Sequence, residues 1–149
     1  MSLKTSTGLR NKLLDTNPLK TIMAAGFIKM YKGAVPSSAD DAVNAADLLC
    51  TIYSDGAAAG INFAAAAVGG SLAKSAVETW SGTVTGAGTN TTTFYRHVAV
   101  GDDGTSSTTQ PRLQGTIGTA GADMNLSSTS LVNSAVQTID YYSVTLPTL

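Results

Sequence analysis

The chain has 149 residues, a formal net charge of −1 and only 13% charged residues, about half the charged fraction of an average soluble domain. That length fits one domain with a modest core of its own. Most basic residues lie in the first 32 positions, with only Lys74, Arg96 and Arg112 beyond them, which argues against nucleic acid as a partner because phosphate binding needs clustered Lys and Arg.

Ser, Thr, Asn and Gly must supply the polar surface, as they do on many extracellular and assembled proteins. Cys50 is the only cysteine, so no internal disulfide is possible. Its place in the apolar run Leu48–Tyr53 marks it as a small buried hydrophobe. No apolar stretch approaches the roughly 18 residues of a membrane helix, and no membrane partner is expected. The opening MSLKTSTGLRNKLL lacks the apolar core of an export signal, so synthesis in a cytoplasm without export by that route is expected.

The first 26 residues differ from the rest. Ser6 or Thr7 can cap a helix with Leu9, Leu13 and Leu14 as its apolar positions. Asn17 as cap and Pro18 in the first turn open a second short helix, with Leu19, Ile22 and Met23 in its stripe and Gly26 closing it. Neither helix is long enough to stand alone in water. Residues 1–26 therefore form a helical arm that must dock on its own sheet or on another subunit.

From residue 27 to 149 the pattern is of strands. Phe27–Lys32 alternates, Gly33–Asn44 is a loop, and Ala46–Tyr53 follows with Leu48, Cys50 and Ile52 on one face. Ser54-Asp55-Gly56 signals a turn. Ala57–Gly70 is alanine-rich but bracketed by glycines, and is expected as a strand then a turn, with Ile61, Phe63, Ala65 and Ala67 sharing a face. Ser71–Val77 is a short strand or link. Glu78–Val84 is a strand whose Trp80 is read as a core anchor. After the loop Thr85–Asn90, Thr91–Val100 is the strongest strand, with Phe94, Val98 and Val100 facing the core and Arg96 needing a partner. Gly101–Gly104 turns the chain into the polar loop Thr105–Pro111. Gly115–Thr119 and Val136–Leu146 are the last two strands, and Pro147 ends the second. In the last strand Tyr142, Val144 and Leu146 share a face. About eight short strands between Gly/Ser/Thr/Asn turns predict a mainly β fold, an antiparallel β-sandwich of the jelly-roll kind behind one or two short helices.

Catalytic signals are sparse. His97 is the only histidine and is followed by no nucleophile motif; a surface or hydrogen-bonded strand histidine is expected. His97 and Cys50 together fall short of the about four ligands of a structural zinc site. Asp40-Asp41 reads as a solvated turn or helix cap. Gly101-Asp102-Asp103-Gly104 lacks the spacing of an EF-hand calcium loop. The glycosylation triplets at Asn90 and Asn125 are incidental in a chain with no export signal. No cofactor is expected.

Several segments carry a resemblance: LKTSTGLRNKLLDTNPLKTIMAAGFIKMYKGAVPSSADDA at the start, then ETWSGTV, TTTFYRHV, LQGTIGTAGADMNLSSTSLV and TIDYYSVTLP. Together they resemble a group of small virion structural proteins of tailed bacteriophages. The resemblance implies a non-enzymatic virion protein, made in the bacterial host cytoplasm and assembled into the particle. First among the roles it implies is a capsid decoration (cement) protein that binds and stabilises the head shell. Its partners would be the major capsid protein or other virion proteins, and it would form homo-oligomers such as trimers. A neck, tail or baseplate component is the alternative. A carbohydrate-binding host-attachment module, with Trp80, Tyr141 or Tyr142 as platform, ranks below both. In the decoration role the arm lays Leu9, Leu13, Leu14, Leu19, Ile22 and Met23 across a neighbour or under the sandwich.

Overall fold

The computed structural model describes residues 3–15, 17–56 and 58–146. The fold is mainly β with few helices. In chain order the elements are β1 (Lys4–Thr5), α1 (Thr7–Asp15), α2 (Leu19–Ile22), β2 (Phe27–Tyr31), a 3-10 turn at Ala45–Asp47, β3 (Leu48–Ser54), β4 (Ser71–Ala73), β5 (Trp80–Thr83) and β6 (Thr89–Thr91). There follow β7 (Phe94–Val98), β8 (Arg112–Gly118), β9 (Met124–Asn125), β10 (Ser130–Val132), β11 (Val136–Ile139) and β12 (Ser143–Thr145). The main sheet runs β1-β8-β7-β2-β3-β5-β11 with antiparallel neighbours, and β9 lies parallel along β8. Two small antiparallel ladders, β6 with β10 and β4 with β12, complete the set.

Register explains where the core sits. Ile52 of β3, Ile28 of β2, His97 of β7 and Leu113 of β8 stand side by side across four strands. They share a face with Cys50, Met30, Tyr95 and Ile117, and this face is the apolar core. Tyr95 lies opposite Gly115, where a Cβ would come within 2.7 Å of the tyrosine ring; the glycine makes room for the ring.

The opposite face carries Lys29, Arg96 and Gln114 in register, flanked by Phe27, Tyr31, Phe94, Val98 and Arg112. An antiparallel sheet commonly leaves one face to water. Here the loop 33–44 and the segment 99–111 lie over it, and all five residues of β7 are buried. The expected phase of this strand is thus reversed. Tyr95, His97 and Ala99 point into the core, whereas Phe94, Arg96 and Val98 face the covering loops, and Val100 is 61% exposed.

The N-terminal segment is tied to the sheet through Ser6. Its hydroxyl accepts the Leu9 N–H at 3.1 Å and the Arg112 N–H at 2.9 Å and donates to the Gln110 carbonyl at 2.7 Å. The first contact is the N-cap of α1. Asp40 adds a second, taking the Thr7 N–H at 2.8 Å and the Thr7 hydroxyl at 2.7 Å. A Cβ on Gly8 would sit 2.3 Å from the Thr109 backbone, so α1 rests directly on that loop. At α2 the cap position is Pro18, not Asn17, and no side chain among the described residues caps the helix. The left-handed residue after it is Ala25 (φ 55°); Gly26 instead bridges to Ile61, close under Val98.

Other boundaries also differ from the sequence expectation. Segment 58–70 forms no strand; its bridges at Ala59, Ile61, Phe63 and Val68 are isolated, and Ile61 and Phe63 reach the core singly. Alanine methyls give too little surface to hold a regular strand in place. The strand expected over Val136–Leu146 divides into β11 and β12, which belong to different sheets. Tyr142 turns into the core at the break, and Leu146 is exposed. β8 starts at Arg112, three residues before the expected strand, and β6 falls partly in an expected loop. Pro147 lies outside the described residues.

Candidate functional site

Three groups of side chains invite a chemical interpretation. The first is the buried polar face under the loops. Arg112 directs Nε and Nη2 at the Asp102 carboxylate, with Nη2 to Oδ1 at 3.1 Å, and both side chains are essentially inaccessible to water. Nη2 also donates to the Thr105 carbonyl at 2.7 Å and Nη1 to the Ala39 carbonyl at 3.3 Å. The pair therefore fastens both covering loops to β8. Arg96 donates Nε to Gln114 Oε1 at 2.8 Å and Nη2 to the Ser38 carbonyl at 3.3 Å, while Nη1 has no partner among the described residues. Burial, and then the nearby Arg112 charge, draw its pKa down. Burial raises the Tyr31 phenol to about 12. Gln114 Nε2 and Lys4 Nζ finish the layer at the Pro36 carbonyl, at 2.8 Å and 3.2 Å. The sequence had offered Asp102 as a turn residue. It shows no sign that a carboxylate ten residues before Arg112 would be its buried partner.

The second group surrounds His97. Its ring lies 5.4 Å from Phe63, 5.6 Å from Tyr142 and 6.3 Å from Trp80. Neither ring nitrogen has a hydrogen-bond partner among the described residues. Burial lowers its pKa from 6.5 to about 3, so the imidazole is neutral. The expected surface or hydrogen-bonded histidine is thus corrected to an apolar-packed one, because β7 presents its odd-numbered side chains to the core. Trp80 is buried as expected. Its indole N–H donates to Glu78 Oε2 at 2.9 Å, and Lys74 Nζ lies 5.6 Å from the ring centre. Burial alone would raise the Glu78 pKa, but hydrogen bonds from Asn62 and Trp80 outweigh it, and the net shift is downward. Cys50 is buried and its thiol is pushed up to about 11 by that burial, which leaves little thiolate at neutral pH.

The third is a cleft of about 450 Å³ between the β9 segment and the β11–β12 junction. Met124, Leu126 and Ile139 are among its apolar walls, and Asp123, Asn125, Gln137 and Asp140 supply polar groups. Asp123 is held by the Thr116 N–H and hydroxyl, both at 2.9 Å. Of the three aromatics considered as platforms, Trp80 and Tyr142 are buried, and only Tyr141 is exposed, at 78%.

The proposed arm residues separate into three kinds. Leu9 and Met23 lie fully in the core, and Leu19 and Ile22 are partly buried against it. Leu13 and Leu14 remain open to solvent, at 43% and 85%. Asp40 caps α1, while the Asp41 carboxylate accepts from the Ser38 N–H and Ser37 hydroxyl, which hold its pKa below the usual range. Among the described residues no cluster of three or more His, Cys, Asp or Glu side chains could hold a metal ion, and no helix is long and apolar enough to cross a membrane. Comparison with known proteins finds no matching family model, curated sequence or solved structure.

Proposed function

We propose that the chain is a non-enzymatic structural protein of a bacteriophage particle, a decoration protein that binds and stabilises the head shell. The sequence resemblance supports this. The structural observation that carries it is α1: the helix is fixed at Ser6 and Asp40 yet holds Leu13 and Leu14 in solvent. Anchored to β8 through Ser6 and to the covering loop 33–44 through Asp40, the helix presents these leucines with little ordering cost on binding. Many copies on a repeating shell would then add weak contacts into firm attachment. In this reading the main sheet and the two small ladders make a sandwich of the jelly-roll kind, residues 1–26 form the contact arm, and the major capsid protein is the partner of a homo-oligomer such as a trimer. A neck, tail or baseplate component would use the same surface at one vertex. Labelling this chain in purified particles and counting copies separates the two. Many copies over the whole shell agree with decoration; one ring at a single vertex assigns it to the neck or tail.

A further inference from the structure

The cleft beside Tyr141 has the chemistry of a site, and nothing in the structural role calls for one. Its volume, about 450 Å³, lies in the range of small-ligand sites, about 300–1,000 Å³. Tyr141 stands at its rim with most of its surface in solvent. A tyrosine so exposed gives up apolar burial, while the next residue, Tyr142, turns inward to supply it. The polar groups that line the cleft are the Asp123 and Asp140 carboxylates, the Asn125 and Gln137 amides and the hydroxyls of Ser127, Thr138 and Ser143. One Asp123 oxygen is fixed by Thr116, and the other makes no hydrogen bond among the described residues. The Asn125 amide is oriented by the Ala122 backbone, its oxygen accepting at 3.1 Å. Gln137 Nε2 is held by the Thr138 carbonyl at 2.8 Å, which leaves its oxygen to accept. Asp140 is exposed at the mouth.

This combination defines the ligand by exclusion and by fit. Among the described residues two carboxylates and no Lys or Arg line the cleft, so phosphates and acidic sugars are repelled. Prearranged acceptors suit a ligand rich in hydroxyl donors. An exposed aromatic face suits one that also presents a patch of C–H bonds. A neutral pyranose has both: C–H bonds on one face of its ring and hydroxyls around its edge. We propose that this cleft binds a neutral carbohydrate, with Tyr141 as the stacking face and Asp123, Gln137 and Asp140 as hydroxyl acceptors. An extended peptide added to the free edge of β11 is the competing occupant. β11 is only four residues long, a short edge for the main-chain hydrogen bonds that give such a peptide its affinity. Sugar binding and attachment to a particle can each fail without the other.

The test is a titration of the 15N-labelled full chain followed through its amide resonances. The probes are methyl glucoside, methyl galactoside, methyl mannoside and N-acetylglucosamine, each to about 100 mM so that even millimolar Kd values register. Glucuronic acid is the charged control. The expected result is that at least one neutral sugar shifts amides concentrated at 123–127 and 137–143, and that glucuronic acid binds more weakly. Tyr141→Ala should weaken binding at least about tenfold, and Tyr141→Phe should stay within about threefold of the parent. Because the side chain is exposed, both variants should keep the parent spectrum elsewhere. A blank result with all four sugars and on an array of larger neutral glycans overturns the proposal. So does full binding by Tyr141→Ala, or a cleft that responds only to extended peptides.

Discussion

Arg96 and His97 are adjacent in the sequence, and both are buried, on opposite faces of one sheet. They satisfy burial in different ways. The arginine keeps its charge and is met by Gln114 and the Ser38 carbonyl, in a layer where Arg112 is neutralised by Asp102. The histidine loses its charge and packs against the rings of Phe63, Trp80 and Tyr142, with no hydrogen-bond partner among the described residues. The polar face is thus held by directional contacts to loops that could otherwise lift away. The apolar face is held by packing that asks nothing of the imidazole nitrogens. Removing a partner should therefore damage the first face at neutral pH, whereas His97 should make the second face sensitive to acid.

The largest effect is expected at Asp102. Asp102→Ala leaves the Arg112 guanidinium buried without its counter-charge, which costs about 3–5 kcal/mol. Chemical denaturation at neutral pH would measure it, and proteolysis should cut first in 36–41 and 102–110, the loops the pair fastens. The double variant Asp102→Leu with Arg112→Met should lose less than Asp102→Ala alone, because no uncompensated charge remains. A double variant worse than the single would mean that the pair contributes chiefly through attraction, and the contrast between the faces would weaken.

His97 sharpens the other side. Its folded pKa is lowered to about 3 from 6.5, so between those values the unfolded chain binds a proton that the fold excludes. Stability is whole above pH 6.5 and falls as pH drops towards 3. The loss for this one group is on the order of 4 kcal/mol across the full window. His97→Leu should remain within about 1 kcal/mol of the parent at pH 7.5, since no hydrogen bond is lost. Between pH 6.5 and pH 4 it should fall less steeply with acid than the parent. Carboxylates such as Asp41 and Asp103, whose pKa values the fold lowers, add acid sensitivity to both proteins and cancel in the difference. Parallel stability–pH curves would show that His97 has a partner or access to water.

The β character of the chain was legible because its turns are marked by Gly, Ser, Asn and Asp and its strands by β-branched and aromatic residues. Phe27–Lys32 nearly matches β2, and Trp80 is the buried anchor its type suggested. The phase of β7 was not legible. Alternation reveals the core only when one face is wet, and here both faces are covered, so Phe94–Val98 offers no polar–apolar contrast. The ion pair was hidden for a related reason: Asp102 looks like any turn aspartate until the loops fold over β8. In the candidate cleft, Tyr141 was legible as an aromatic but not as the exposed one of its pair. That depended on the break between β11 and β12, which turns Tyr142 inward, and no Gly or Pro announces the break.

A middle-sized effect is expected where the arm meets the polar face. Ser6→Ala removes the cap of α1 and the side-chain links to Gln110 and Arg112 in one step. A buried cap of this kind is worth about 1–2 kcal/mol. Amide exchange should quicken first in α1 and at the 109–112 backbone. If exchange quickened uniformly, the arm would be no more dependent on this hydroxyl than the rest of the fold.

The smallest effect on stability is expected at Leu14, and it bears most directly on function. The arm divides as the sheet does: Leu9 and Met23 are core, and Leu13 and Leu14 face water. Leu9→Ser should cost stability as any core polar substitution does. Leu14→Ser should stay within about 0.5 kcal/mol of the parent, since an 85% exposed side chain has little burial to lose. If the exposed end of α1 is the contact with a shell, Leu14→Ser should nevertheless reduce occupancy on particles, and Leu13→Ser added to it should reduce it further. Occupancy measured against stability on the same samples separates a contact residue from a folding residue. An unchanged occupancy with both leucines replaced would remove the arm from the interface and move the search to another surface.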